Sequence, residues 1–121
     1  MKNKSKKAKF KKRSEFRYHN TVSINAKGKK KNIRHPAYIF LEKGNIFIYI
    51  SLTHSKEIKN VLLIKLRRNP KPKDNRDAYR VVEIRKDTKD AFGKRLKKWV
   101  IDPLDEEDIR KEFTKKDDSA D

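Results

Sequence analysis

AYIFLEKGNIFIYISL, the stretch from Ala37 to Leu52, decides the fold. Ala37 to Leu41 is rich in aromatic and β-branched residues and reads as a strand. Glu42-Lys43-Gly44-Asn45 is a hairpin turn, with Gly44 free to take positive φ. Ile46 to Leu52 answers the first strand. Ile46, Ile48, Ile50 and Leu52 fall on one face and Phe47 and Tyr49 on the other. Apolar side chains on both faces require cover on both, which places this strand in the middle of a sheet.

Downstream, Val61 to Leu66 reads as a third strand. Arg67 to Asp77 (RRNPKPKDNRD) reads as a long loop, since two prolines remove ladder donors and five basic residues need solvent or phosphate. Tyr79 to Ile84 is a fourth strand, and Lys86 to Arg95 a polar connector punctuated by Gly93. Leu96 to Ile101 is a fifth strand, with Trp99 as its core anchor. Asp102-Pro103 opens a helix, Asp as N-cap and Pro at the first helical position. Ile109 and Phe113, four apart, share one face of it. Residues 117–121 read as a frayed acidic tail.

Upstream, Thr21 to Asn25 alternates enough for a short edge strand, and Lys27 to Lys31 reads as a basic turn. Residues 1–31 as a whole are too densely positive to fold alone and read as a disordered arm. The expected fold is therefore mainly β: a small, partly open antiparallel barrel, SH3-like or OB-like, over residues 32–116, with a C-terminal helix and a disordered basic N-terminal arm.

The formal net charge is +18. Residues 1–35 hold 14 Lys/Arg against the single acid Glu15, so the charge is concentrated at one end. Self-repulsion of that size opposes compaction, which points to a polyanionic partner. Each Lys or Arg that neutralises a phosphate releases a counterion and adds sequence-independent affinity. The expected contacts in the arm are Lys6, Lys7, Lys9, Lys11, Lys12, Arg13, Arg17, Lys29, Lys30 and Lys31. Phe10, Phe16 and Tyr18, interleaved among them, are candidates to stack on bases; equally, they could pack on the edge of the domain. Arg67, Arg68, Lys71, Lys73 and Arg76 form a second candidate phosphate track in the loop.

With no cysteine there is neither a disulfide framework nor a thiolate metal site. No two of His19, His35 and His54 have a local metal-ligand spacing. No phosphate loop, nucleophile elbow or HExxH pair is present, and no cofactor is expected. The apolar run Ile46 to Ile50 is too short to cross a bilayer, and the N-terminus lacks a signal-peptide stretch. The expectation is an intracellular protein acting on nucleic acid without a membrane.

Paired through the Gly44 turn, the two strong strands bring His35 and Thr53 to one open end, close to Arg34. A guanidinium, an imidazole and a hydroxyl gathered there could hold a phosphate or move protons in phosphodiester cleavage. Arg34-His35-Pro36-Ala37-Tyr38-Ile39-Phe40 and Ile50-Ser51-Leu52-Thr53-His54-Ser55 together resemble the front of the PemK/MazF-like toxin family. The resemblance implies an SH3-like barrel, usually dimeric, and metal-independent RNA cleavage by an Arg with a Thr or Ser, here Arg34 or His35 with Thr53. Three functions follow as expectations. The first is a nucleic-acid-binding accessory protein, for RNA ahead of DNA, of the kind a mobile element carries. The second is an endoribonuclease of the PemK/MazF-like type. The third is an inhibitor docked on the nucleic-acid channel of a larger machine, and a protein partner or homodimer is compatible with each.

Overall fold

In the computed structural model, residues 9–24 and 26–119 are described. The chain runs β1 (Lys11–Ile24), β2 (Lys30–Lys43), β3 (Ile46–Thr53), β4 (Leu63–Lys65), β5 (Tyr79–Val81), β6 (Arg85–Thr88), β7 (Phe92–Arg95) and α1 (Pro103–Ser119). All strand pairings are antiparallel, in the order β4-β5-β3-β2-β1-β7, with β6 on the outer edge of β3 beside β5. The sheet does not close on itself: β4 and β7 are its two ends. It is mainly β, a small partly open barrel with one C-terminal helix.

The hairpin at the centre has the expected form. Lys43 pairs with Ile46, and Gly44 turns the chain at φ 58°. Ile48, Ile50 and Leu52 join Tyr38 and Phe40 in one core, against Ile109 of α1. Phe47 and Tyr49 join Ala37, Ile39 and Phe92 in a second, smaller core on the opposite face. Alternation with both faces apolar has put β2 and β3 in the middle, as the pattern requires. Register shifts between Lys12 and Glu15 and between Ile39 and Leu41 bend the two long strands.

The disordered arm is corrected from residue 11 onward. Lys11–Ile24 is a full strand paired along β2, and Phe16 is only 2% exposed. The alternation of period two explains it. Phe16 faces Tyr38 and Trp99 in the main core, while Arg13, Glu15, Arg17 and His19 point to the other face. There the charges neutralise one another: Arg13 and Arg17 bond Glu15, and Arg13 and Lys89 bond Glu42. The domain thus begins near residue 11 rather than 32, and residues 1–8 lie outside those described.

Other boundaries move as well. The connector Lys86 to Arg95 contributes to β6 and supplies β7; β6 begins one residue earlier, at Arg85. Leu96 to Ile101 is not a strand, because β7 has already taken the pairing with β1 and the Leu96 amide closes it on the Phe16 carbonyl at 2.7 Å. Helix α1 continues through Ser119 rather than fraying at 117. Its start is as expected, with the Asp102 carboxylate accepting from the Leu104 amide at 2.8 Å. The strands expected at 61–66 and 79–84 shorten to three residues each.

Two ion pairs that no sequence pattern announced fasten the helix to the sheet. Arg80 on β5 is 2% exposed and donates to Glu112. Asp105, also buried, accepts from the Arg67 amide at 3.0 Å and from its guanidinium at 2.8 Å. The second pair fixes where the 67–77 loop leaves the sheet.

Candidate nucleic-acid interface

The loop between β4 and β5 forms one wall of a groove of about 640 Å³. Lys65, Arg67, Arg68, Lys71, Lys73, Arg76 and Lys98 line it, against the acids Asp74 and Asp77. These cations are of two kinds. Arg67 is held by Asp105 and Asp108, Arg76 by Asp74 at 2.6 Å, and Lys65 by Asp77 at 3.4 Å. The Arg76 guanidinium, with its amide, holds the Asp74 carboxyl well below the usual carboxylate range. Asp108 and Asp105 push the Arg67 pKa up. These pairs build the wall. Arg68, Lys71, Lys73 and Lys98 are exposed and make no ion pair among the described residues, so their charge faces solvent.

The loop is braced from within. The Asn69 side chain donates to the Arg76 carbonyl at 3.1 Å and accepts from the Lys71 amide at 2.9 Å. Lys73, at its tip, takes φ 63°, a conformation that side chains with a Cβ adopt at some cost. A rigid loop presenting unpaired cations loses little order when it meets a polyanion.

The groove continues past Lys71 and Lys98 into a hollow of about 450 Å³ lined also by Arg95, Lys97 and Trp99. Lys94, Arg95, Lys97 and Lys98 are all exposed. Sequence reasoning assigned this stretch to a connector and a strand and missed it as a basic surface. The signal was present, a run of cations abutting an aromatic residue, which is the pattern that singled out the N-terminal segment.

Trp99 also walls a third space, a recess of about 150 Å³ at the open end of the β2–β3 hairpin. Pro36, Leu52, Pro70, Ala78 and Trp99 give it apolar sides, and His35, Thr53, His54 and Asn69 give it hydrogen-bonding groups. The register Ala37–Ser51, continued by two residues, is what brings His35 opposite Thr53. The Thr53 oxygen accepts from the Ser55 amide at 3.1 Å, which leaves its hydroxyl proton to donate. His54 Nδ1 lies 3.3 Å from the Asp77 carbonyl, while His35 makes no hydrogen bond among the described residues.

Arg34 does not line this recess. Its guanidinium lies over the Tyr18 ring at 5.0 Å, and Tyr18 meets Trp99 edge-on at 6.5 Å. Of the expected trio, then, His35 and Thr53 line one cavity, while Arg34 lies on Tyr18, the neighbour of Trp99.

The expected contacts of the N-terminal segment divide in the same way. Lys9, Lys11, Lys12, Lys30 and Lys31 are exposed. Arg13 and Arg17 are committed to Glu15 and Glu42, and Arg17 also donates to the Gly93 carbonyl at 2.9 Å. Phe16 is core and cannot stack on a base. Phe10 packs edge-on against Phe113 of α1 at 5.4 Å, with the Lys43 ammonium over its ring, so it belongs to the domain edge. Lys29 engages a neighbour within the chain. Lys6 and Lys7 lie outside the described residues.

Among the described residues no group of three or more His, Cys, Asp or Glu is placed to hold a metal ion, and no helix is long and apolar enough to cross a membrane. No known protein family, curated protein or solved structure matches this chain.

Proposed function

We propose that this protein binds nucleic acid, RNA ahead of DNA, with its phosphates following the basic groove between the 67–77 loop and the 94–99 segment. One observation carries the reading: Arg68, Lys71, Lys73 and Lys98 line a single groove, exposed and without carboxylate partners among the described residues. A cluster of unneutralised cations repels itself, and a phosphate backbone relieves that repulsion while releasing counterions. The half-exposed Trp99 beside it offers the aromatic face that single-stranded nucleic acid uses in addition to charge. Titrating the full chain into labelled RNA over a salt series tests the proposal. Tight binding whose log affinity falls steeply and linearly with log salt is expected. Salt-insensitive binding, or none at low salt, defeats it.

A second reading, metal-independent RNA cleavage, draws on His35 and Thr53 lining one cavity next to that groove. Imidazole can exchange protons near neutral pH, and a hydroxyl donor can orient a phosphate or a 2′-hydroxyl. With Arg34 turned onto Tyr18, the groove cations would have to stabilise the developing charge. Binding remains the better supported function.

A further inference from the structure

The recess behind Trp99 is unlike the surface around it. Seven of the sixteen residues lining the groove and four of the seven lining the hollow are Lys or Arg, whereas five of the nine residues lining the recess are apolar. Its four polar residues include no Lys, Arg, Asp or Glu. A phosphate placed inside would give up its hydration against proline and leucine without a cation to replace it. The recess therefore does not take the part of the ligand that the groove takes.

We infer that the recess is a nucleobase pocket, which receives one unstacked base of a single strand whose phosphates lie in the adjoining groove. The inference rests on the nucleic-acid reading above and adds what that reading leaves open, the form of the ligand. Three properties fit. The volume, about 150 Å³, corresponds to only a few water molecules and is on the scale of one flat heterocycle, not of a base pair. Trp99 provides the aromatic wall on which an extruded base stacks. Two hydrogen-bonding groups of its lining residues have no acceptor or donor partner among the described residues: the Thr53 hydroxyl proton, whose oxygen already accepts from Ser55, and the His35 imidazole. Thr53 donates to a carbonyl or ring nitrogen on the base edge, and His35 supplies the contact beside it.

The wall is held in place from behind. Trp99 packs on Phe16 at 5.6 Å and on Tyr18 at 6.5 Å, and the Arg34 guanidinium lies over the Tyr18 ring at 5.0 Å. Arg34 is in this account a positioning residue. The adjoining groove shares Asn69, Pro70 and Ala78 with the recess, so a backbone lying across Lys71 and Lys98 passes its mouth. Base pairing and stacking keep the bases of a duplex out of such a recess, which makes the site selective for single strands.

Trp99 is the only tryptophan in the chain, so its emission reports on the recess and on the basic hollow that it also lines, and the abasic oligomer separates the two. The experiment titrates the full chain with four probes: a short single-stranded RNA, its duplex, an abasic oligomer of equal phosphate number, and the mononucleotide. The single strand is expected to change Trp99 emission and to bind tightest. Duplex and abasic oligomer bind through charge at low salt and leave the emission unchanged, and the mononucleotide binds weakly for want of flanking phosphates. Replacing His35→Ala with Thr53→Val keeps the reporter and should cost the single strand roughly tenfold in affinity. The abasic oligomer should lose nothing. Trp99→Ala should cost the single strand roughly ten- to a hundredfold; because Trp99 also packs on Phe16, the double variant is the decisive one. Equal emission change with the abasic oligomer, or an unchanged affinity in the double variant, overturns the base pocket and leaves the groove intact. Failure of all four probes to bind overturns the nucleic-acid reading and this inference with it.

Discussion

Replacing Arg68, Lys71, Lys73 and Lys98 together by Gln removes the four groove cations that have no partner among the described residues. Each phosphate neutralised on a single strand contributes about 0.7 to the slope of log affinity against log salt, so four contacts contribute about 2.8. Over a fourfold rise in salt, from 50 to 200 mM, that slope corresponds to roughly 50-fold of affinity that the variant no longer loses. The fold should be unaffected, because all four side chains are exposed and none is tied to a carboxylate. Arg67→Gln is the matched control. Its guanidinium is engaged by Asp105 and Asp108, so its loss should lower thermal stability and change the slope little. Fluorescence anisotropy with labelled RNA across the salt series, alongside thermal unfolding of each variant, makes the comparison. If the fourfold variant keeps the wild-type slope within about one unit, the groove is not the phosphate track. The exposed lysines of the N-terminal segment would then have to carry the binding.

Other predictions concern the framework. Glu112→Ala leaves the Arg80 guanidinium buried without its partner and should cost about 3 kcal/mol, whereas Arg80→Met, which removes the charge and keeps the volume, should cost less; chemical denaturation orders the two. Phe16→Ala should cost roughly 3–5 kcal/mol as a core truncation, and the amides of Glu15 to Asn20 should be slow to exchange; fast exchange there would restore an unfolded arm. The hydrogen bond from His19 lowers the pKa of Asp87. A depressed carboxylate contributes stability above its unfolded-state pKa and loses it as pH falls through its folded-state pKa. The acid limb of a stability–pH curve should therefore be shallower in Asp87→Asn, and an unchanged limb would remove that pair from the account. RNA incubated with the protein and chelator should remain intact; cleavage that His35→Ala abolishes would instead establish the second reading.

The sequence by itself determined the centre of this protein. Ala37 to Leu52 carries two strands and their turn in local terms: period-two alternation, apolar residues on both faces, and a glycine where φ must be positive. Asp102-Pro103 is equally local, since the cap and the fixed φ act within one turn of the helix. The sequence also determined the basic character of the chain, and continued alignment of the hairpin was enough to put His35 opposite Thr53. Tertiary structure decided which of the cations are free. Arg13, Arg17, Arg67 and Arg76 look the same in sequence as Arg68 and Lys73, and only contacts with Glu15, Glu42, Asp105 and Asp74 separate those that build the wall from those that face solvent. Non-local pairing also turned a lysine-rich segment into β1, because the cost of gathering its charge falls once a carboxylate 29 residues away lies alongside, as Glu42 does for Arg13. The recess is the extreme case. Its walls come from five separate places in the chain, His35 to Pro36, Leu52 to His54, Asn69 to Pro70, Ala78 and Trp99, and no single one of them contains the pocket.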